Sequence, residues 1–231
     1  MVNASRENIV EAIKSSSQQK NYRMVLGNKE LFVKDDLPEN INLDKVFDFI
    51  QKKIPNSMMY GFDAIYVGDF DELTVSGRNA AYKDGAIFLT NAQDDNMDIV
   101  DDIVHEIAHS LESLYGYEIY GDGEIEREFL AKRNTLEKIL NQEGYDTSYY
   151  NFDNPLFDDD IDKFFYKDVG YALLNNLVNG LFASAYGATS LNEYFANGFE
   201  EYYLGDRNYL RTISYYLYQA INNLHTMGDN I

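Results

Sequence analysis

The chain has 231 residues, of which 45% are hydrophobic, so it can form one sizeable core. It contains no cysteine, which excludes a disulfide framework and a thiolate metal site. The formal net charge is -20 at pH 7. Because such an acidic surface repels phosphate backbones, we expect no nucleic-acid partner.

No stretch approaches the length of about eighteen apolar residues that a membrane span needs. The first residues, Met1 to Glu7, also lack the apolar segment of a signal peptide. We therefore expect no membrane partner, and a cytoplasmic location unless the N-terminus of the chain has been trimmed.

Apolar spacing and turn residues predict an α+β fold. The first half should contain a helix at 3–20, a hairpin over 22–33, a helix from Asn42 or Asp44 to before Pro55, a strand at 62–68, and a hairpin of 79–82 and 86–90. The second half should contain helices at 98–112, 124–141, 161–182, 191–203 and 208–224, with an acidic loop at 143–160. No internal repeat and no linker interrupts this order, so we predict a single domain over 1–231.

The helix at 98–112 carries the motif H-E-x-x-H, formed by His105, Glu106 and His109. Its predicted core face consists of Ile99, Ile103, Ile107 and Leu111 beside Val100, Val104 and Ala108. The two histidines are four residues apart, so both rings can point a nitrogen at one Zn²⁺. Glu106 lies about 100° round the helix, where it can reach a metal-bound water as a general base.

This is the arrangement of a metal-dependent hydrolase: two ligands, an open coordination position and a base. The alternative is a surface helix that happens to carry two histidines. Two of the 3 histidines of the chain fall in this motif, and the helix is apolar on one side only. Both facts favour the zinc interpretation.

A catalytic zinc ion takes a third protein ligand. We expect His225, near the C-terminus, to face solvent, so the third ligand should be a carboxylate. Glu128 is one candidate, separated from His109 by eighteen residues, although it can also be an ordinary surface charge paired with Lys132. Glu193 is the other candidate, and its neighbour Asn197 is placed at i,i+4 to accept the second ring N–H of a ligand histidine.

The hairpin strand Asn79, Ala80, Ala81 and Tyr82 lies just before the H-E-x-x-H helix. It is either a plain hairpin or the edge strand that binds an extended peptide substrate by backbone pairing. The segment resembles the edge-strand signature of gluzincin zinc peptidases, which favours the substrate strand.

Tyr186 precedes Glu193 by seven residues, and Glu193 is followed by Tyr-Phe-Ala. Together with H-E-x-x-H, this pattern resembles the catalytic domain of anthrax lethal factor and its relatives, which include the small clostridial Pro-Pro endopeptidases. The resemblance implies a zincin-like fold, with a small mixed β-sheet and an edge substrate strand packed on a mostly helical domain. It implies that His105, His109 and Glu193 bind Zn²⁺. Glu128, a candidate from its spacing after His109, is then the second choice for the third ligand. It also implies that Glu106 activates water and that Tyr186 stabilises the oxyanion.

Eighty-three residues separate His109 from Glu193, more than this family leads us to expect, so we predict a helical and acidic insert at about 117–182. The predicted function is a zinc-dependent endopeptidase, a hydrolase whose partner is a peptide or protein substrate. Two alternatives stay open: a non-catalytic peptide- or partner-binding protein on a metallopeptidase fold, and an aminopeptidase.

Overall fold

The computed structural model describes residues 22–228, so the helix predicted at 3–20 lies outside the described residues. The described residues divide into two compact units, one formed by residues 22–114 with Gly228 and the other by residues 115–227. The predicted single domain stays a prediction.

The first unit contains a five-stranded mixed sheet with the strand order β1-β2-β3-β5-β4. Its strands are β1 (Tyr22–Val25), β2 (Lys29–Val33), β3 (Ala64–Val67), β4 (Ala80–Lys83) and β5 (Ala86–Leu89). The pairs β1–β2 and β4–β5 are antiparallel hairpins, whereas β3 pairs in parallel with β2 and β5. Both predicted hairpins are confirmed, and β4 lies at a sheet edge.

The two faces of this sheet differ in composition, as the period of two along a strand dictates. One face is aliphatic and buried, and includes Leu31, Ile65, Val67, Ile87 and Leu89. The other face carries an aromatic row of Phe32, Tyr66 and Phe88. In this aromatic row the ring centroids of Phe32 and Tyr66 are 5.0 Å apart, and those of Tyr66 and Phe88 are 5.1 Å apart.

The first unit contains the helices α1 (Leu43–Lys53) and α2 (Asp71–Ser76) and most of α3 (Asn96–Tyr120). Helix α3 has a non-helical residue at Tyr115, where the second unit begins. A 3-10 turn lies at Asn56–Met59. The Asn42 side chain caps α1 by accepting a hydrogen bond from the Lys45 N–H, and α1 ends before Pro55, as predicted. The predicted core face of α3 is confirmed, because all seven of its apolar side chains are buried.

The second unit is helical. Its elements are α4 (Glu124–Gln142), α5 (Asp159–Lys163), a π-helical turn (Phe164–Val169), α6 (Tyr171–Leu177), a 3-10 turn (Tyr186–Ala188), α7 (Leu191–Tyr203), α8 (Arg207–Ile213) and α9 (Tyr215–Gly228). The helices predicted at 124–141 and 191–203 are confirmed. In α7, Gly198 permits close packing, because a Cβ there would overlap the Leu217 side chain of α9.

Two predicted helices are wrong in their continuity. The segment 161–182 is interrupted by Gly170, whose φ of 79° and ψ of 132° end one helix and begin the next. The segment 208–224 is interrupted at Ser214, whose φ of -142° and ψ of 70° lie outside the helical region. The Ser214 hydroxyl accepts a 2.5 Å hydrogen bond from the buried Lys132 ammonium, a partner that lies 82 positions away.

The α+β class with a small mixed sheet is confirmed. None of the helices between residues 22 and 228 combines the length and apolar character that a bilayer crossing requires.

Candidate metal centre

Helix α3 presents the two histidines together. The Nε2 atoms of His105 and His109 lie 3.1 Å apart, and the ring centroids are 4.8 Å apart. The opposite side of the helix lies against the chain at Gly61, where a Cβ would come within 2.5 Å of the Ser110 carbonyl oxygen. This close approach and the buried apolar face hold the helix so that the two rings point away from the core.

A carboxylate that the sequence analysis missed orients one of these rings. The Nδ1 atom of His109 lies 2.7 Å from Oε2 of Glu112, and both side chains are largely shielded from water. Such a contact leaves Nε2 of the same ring available as a metal ligand. The spacing of three residues on one helix was the available signal.

A further carboxylate on α3, that of Asp102, has a shifted pKa. Burial raises the pKa of Asp102 to about 6, although a 2.9 Å hydrogen bond from Gln93 and the nearby His105 oppose the rise. This group lies one turn before His105, so it adds to the negative potential around the histidines.

The predicted general base, Glu106, is buried at 6% exposure. Its Oε2 atom accepts a 2.5 Å hydrogen bond from the main-chain N–H of Tyr82. The Tyr82 hydroxyl donates a 3.0 Å hydrogen bond to the Gly61 carbonyl oxygen. The predicted substrate strand therefore runs beside the predicted base.

Three residues of this strand segment belong to β4, and Asn79 lies just before it. The Asn79 carbonyl oxygen accepts from the Thr90 N–H, which extends the hairpin by one pair. Ala80 is buried, whereas Ala81 and Tyr82 are half-buried.

Tyr186 and Glu193 lie together in the second unit. The Tyr186 hydroxyl donates a 3.3 Å hydrogen bond to Oε1 of Glu193. The Ser190 side chain caps α7 by accepting from the Glu193 N–H, so Glu193 occupies the first turn of that helix. Burial raises the pKa of the neighbouring Tyr171, whose hydroxyl donates to Asp162 at 3.3 Å and whose ring lies 6.5 Å from that of Tyr186.

The Asn197 amide makes its hydrogen bonds within the same segment. Its nitrogen donates a 2.9 Å hydrogen bond to the main-chain oxygen of Glu193, and its oxygen accepts from the Ser184 hydroxyl. These contacts brace the turn that carries Tyr186. The predicted contact of Asn197 with a ligand histidine stays a prediction.

Glu128, the alternative third ligand, caps the N-terminus of helix α9. Its carboxylate accepts hydrogen bonds from the Tyr216 and Leu217 N–H groups at 3.1 and 3.3 Å, and from the Tyr194 hydroxyl at 2.8 Å. These are the contacts of a helix cap supplied from a distant part of the chain. His225 contacts the Tyr203 hydroxyl at 2.9 Å.

His105, His109 and Glu193 form a group that can bind a metal ion, because their candidate ligand atoms all lie within 4.8 Å of one another. Two imidazoles and one carboxylate form a donor set that suits zinc. In a tetrahedral site with Zn–N bonds of about 2.0–2.1 Å, two ligand nitrogens lie about 3.3 Å apart. The 3.1 Å separation of the histidine Nε2 atoms fits that geometry.

Comparison of the chain with protein families, with curated proteins and with solved structures gave no match in any of the three. The resemblance to the lethal factor family thus depends on the short motifs alone. The structure provides two histidines and a glutamate that can hold a metal ion.

Proposed function

We propose that this protein is a zinc-dependent endopeptidase. The observation that carries the proposal is the grouping of His105, His109 and Glu193. The contact between Glu106 and the edge strand β4 supports it further, because a peptidase needs its base beside the bound peptide.

In this proposal, the two histidines and Glu193 would hold Zn²⁺, which would supply a Lewis acid for the peptide carbonyl and for water. Glu106 accepts the proton of the attacking water and later donates it to the leaving amine. Its burial and the hydrogen bond from the Tyr82 N–H fix the carboxylate in place beside the edge strand.

The Tyr186 hydroxyl is the proposed donor to the developing oxyanion. Its 3.3 Å contact with Glu193 is long for an O–H···O hydrogen bond and therefore weak. Little free energy is lost when the hydroxyl breaks this bond and donates to another acceptor. The Ser184 and Asn197 hydrogen bonds hold the turn on which it is mounted.

The peptide in this proposal adds to β4 as an extended strand. An extended peptide bound along an edge needs no free N-terminus, which is why we propose an endopeptidase rather than an aminopeptidase.

The test measures bound zinc by mass spectrometry and cleavage of a peptide library whose members have either free or blocked N-termini. Glu106→Gln should retain zinc and lose at least about 100-fold in cleavage rate, since general acid–base catalysis contributes that much. Glu118→Gln, at an exposed glutamate on the same helix, is the matched control and should behave like the parent.

A Glu106→Gln chain that cleaves as well as the parent would refute the mechanism. Cleavage confined to free N-termini would make the protein an aminopeptidase, and zinc binding with no cleavage at all would make it a binding protein. Glu193→Gln should lose zinc while Glu128→Gln retains it, and the reverse result would make Glu128 the third ligand.

A further inference from the structure

A pocket of about 510 Å³ lies in the first unit, on the sheet face that carries the aromatic row. Its apolar lining comes from Phe70, Leu73, Ala81 and Phe88. The rings of Phe70 and Phe88 meet edge to face with centroids 5.4 Å apart. Both rings are only half-buried, so the pocket exposes aromatic surface to its contents.

The pocket adjoins the edge strand β4. Ala81 and Lys83 line it, whereas Tyr82, between them, points to the other face and reaches the Gly61 carbonyl oxygen. The small side chain of Ala81, opposite Phe88 in the hairpin, leaves the aromatic lining uncovered. One face of β4 therefore borders an apolar pocket, and its outer edge, which does not pair with another strand, borders Glu106.

The hairpin turn decides which backbone groups of β4 face outward. The two turn residues, Asp84 and Gly85, have positive φ values of 51° and 79°, as in a two-residue hairpin turn. In such a hairpin the Lys83–Ala86 pair is hydrogen-bonded, so Tyr82 and Ala80 turn their N–H and C=O groups away from β5. The hydrogen bond from the Tyr82 N–H to Glu106 agrees with this register.

Because the Tyr82 N–H is bonded to Glu106, a peptide that extends the sheet by one strand pairs with the remaining outward groups, which are the Ala80 N–H and C=O and the Tyr82 C=O. Its side chains alternate between the two faces, and directly opposite residues have Cβ atoms about 5 Å apart. Every second side chain of the peptide thus lies on the face of Ala81 and the pocket.

The pocket is lined by three basic residues, Lys34, Arg78 and Lys83, and by three acidic residues, Asp69, Asp71 and Glu72. Its lining is therefore neutral in sum, whereas the whole chain has a net charge of -20. Lys83 forms an ion pair with Glu72 at 3.2 Å. Lys34 lies 5.3 Å from the centre of the Phe70 ring and donates to the Asp69 carbonyl oxygen. The Arg78 side chain is exposed, and among residues 22–228 its guanidinium makes no hydrogen bond or ion pair. This guanidinium is available to a carboxylate from outside the chain.

We propose that this pocket sets the substrate preference of the peptidase, by taking an aromatic side chain of an extended peptide that also carries Asp or Glu two positions away. The aromatic ring contacts Phe70 and Phe88, and the acidic side chain contacts Arg78. The separation of two positions follows from the strand geometry, because residues i and i+2 share a face. This inference rests on the proposed function, since it assumes that a peptide pairs with β4.

Two pairs of full-length variants test the inference. Ser76→Phe fills the pocket from its rim, and Val75→Phe adds the same ring at a neighbouring position that is 87% exposed and does not line the pocket. Arg78→Glu reverses the charge at the rim, and Lys52→Glu makes the same change at an exposed site on α1.

The first readout is the cleavage preference of the zinc-loaded chain on the blocked peptide library. Aromatic residues should be enriched at one position, with Asp or Glu two positions away. Ser76→Phe should reduce cleavage of aromatic peptides about tenfold. Arg78→Glu should reduce cleavage of the acidic peptides about fivefold, which is within the range of exposed ion pairs. Neither control variant should change the preference.

The second readout is binding of labelled aromatic–acidic peptides to the zinc-loaded Glu106→Gln chain, followed by fluorescence anisotropy, which needs no turnover. If the parent cleaves peptides while Ser76→Phe and Arg78→Glu change neither preference nor binding, the pocket inference is overturned and the proposed function stands. If the parent cleaves nothing but binding still depends on Ser76 and Arg78, the proposed function fails and the pocket remains a peptide site. Absence of both cleavage and binding overturns both.

Discussion

The contact between Glu112 and His109 predicts a measurable loss of zinc affinity when the carboxylate is changed. The Oε2 atom of Glu112 lies 2.7 Å from Nδ1 of His109, and the Glu112 side chain is only 8% exposed. Because water does not compete strongly for this contact, the carboxylate fixes the ring orientation and makes Nε2 a better donor.

Loss of such an outer partner weakens metal binding by about 10- to 100-fold, which corresponds to about 1.4–2.7 kcal/mol. Glu112→Gln preserves the shape and can still accept from the Nδ1 proton, so we expect a loss of about tenfold. Glu112→Ala removes the contact, so we expect a loss near about 100-fold.

The assay is competition for Zn²⁺ against a fluorescent chelator at constant pH, with Glu118→Gln as the control. Circular dichroism of each variant verifies that α3 is still formed. If Glu112→Ala binds zinc as tightly as the parent, the orienting role of Glu112 is refuted.

Two predictions concern stability in the second unit. Burial lowers the pKa of Lys132 to about 8, although the charge of Glu128 opposes this shift. Between about pH 8 and pH 10, Lys132 is therefore deprotonated in the folded chain but still protonated in the unfolded chain. The unfolding free energy of the parent, relative to that of Lys132→Met, should therefore rise by about 2 kcal/mol from pH 7 to pH 9.5. If urea titrations show that the unfolding free energies of the two chains change equally with pH, the prediction is contradicted. Gly198→Ala should destabilise the chain by about 1–3 kcal/mol, because the added methyl group overlaps the fully buried Leu217. The comparison is Gly205→Ala, placed after α7, where the three atoms nearest to the added Cβ belong to the far end of the Glu201 side chain, its carboxylate. Equal urea midpoints for the two variants would count against the packing argument.

The parts of the fold that follow local rules could be predicted from the sequence. The Asn42 cap, the Lys83-Asp84-Gly85 turn and the apolar face of α3 each depend on residues within a few positions of one another. The continuity of the later helices could not be predicted in the same way. Ser214 leaves the helical region where its hydroxyl meets Lys132, 82 positions away, and no local pattern contains that contact.

The candidate site likewise contains features that follow from local geometry and features that depend on distant parts of the chain. The pairing of His105 with His109 follows from helix geometry, and so does the orienting contact of Glu112, although the sequence analysis did not include it. The grouping of Glu193 with these histidines depends on how the chain folds between them, so the residue pattern alone left both Glu193 and Glu128 as candidates, and a resemblance favoured Glu193. The part played by Glu128 in capping α9 could not be foreseen, since its partners lie 88 and 89 positions away.

The cap on α9 also bears on the order of folding. Helix α9 receives the acceptor for its first N–H groups from Glu128 of α4, rather than from a residue just before it. Closing a loop of this length is entropically unfavourable, and the unfavourable entropy is incurred before the cap can form. We therefore expect the first turn of α9 to become protected from hydrogen exchange late in refolding, after α4 is protected.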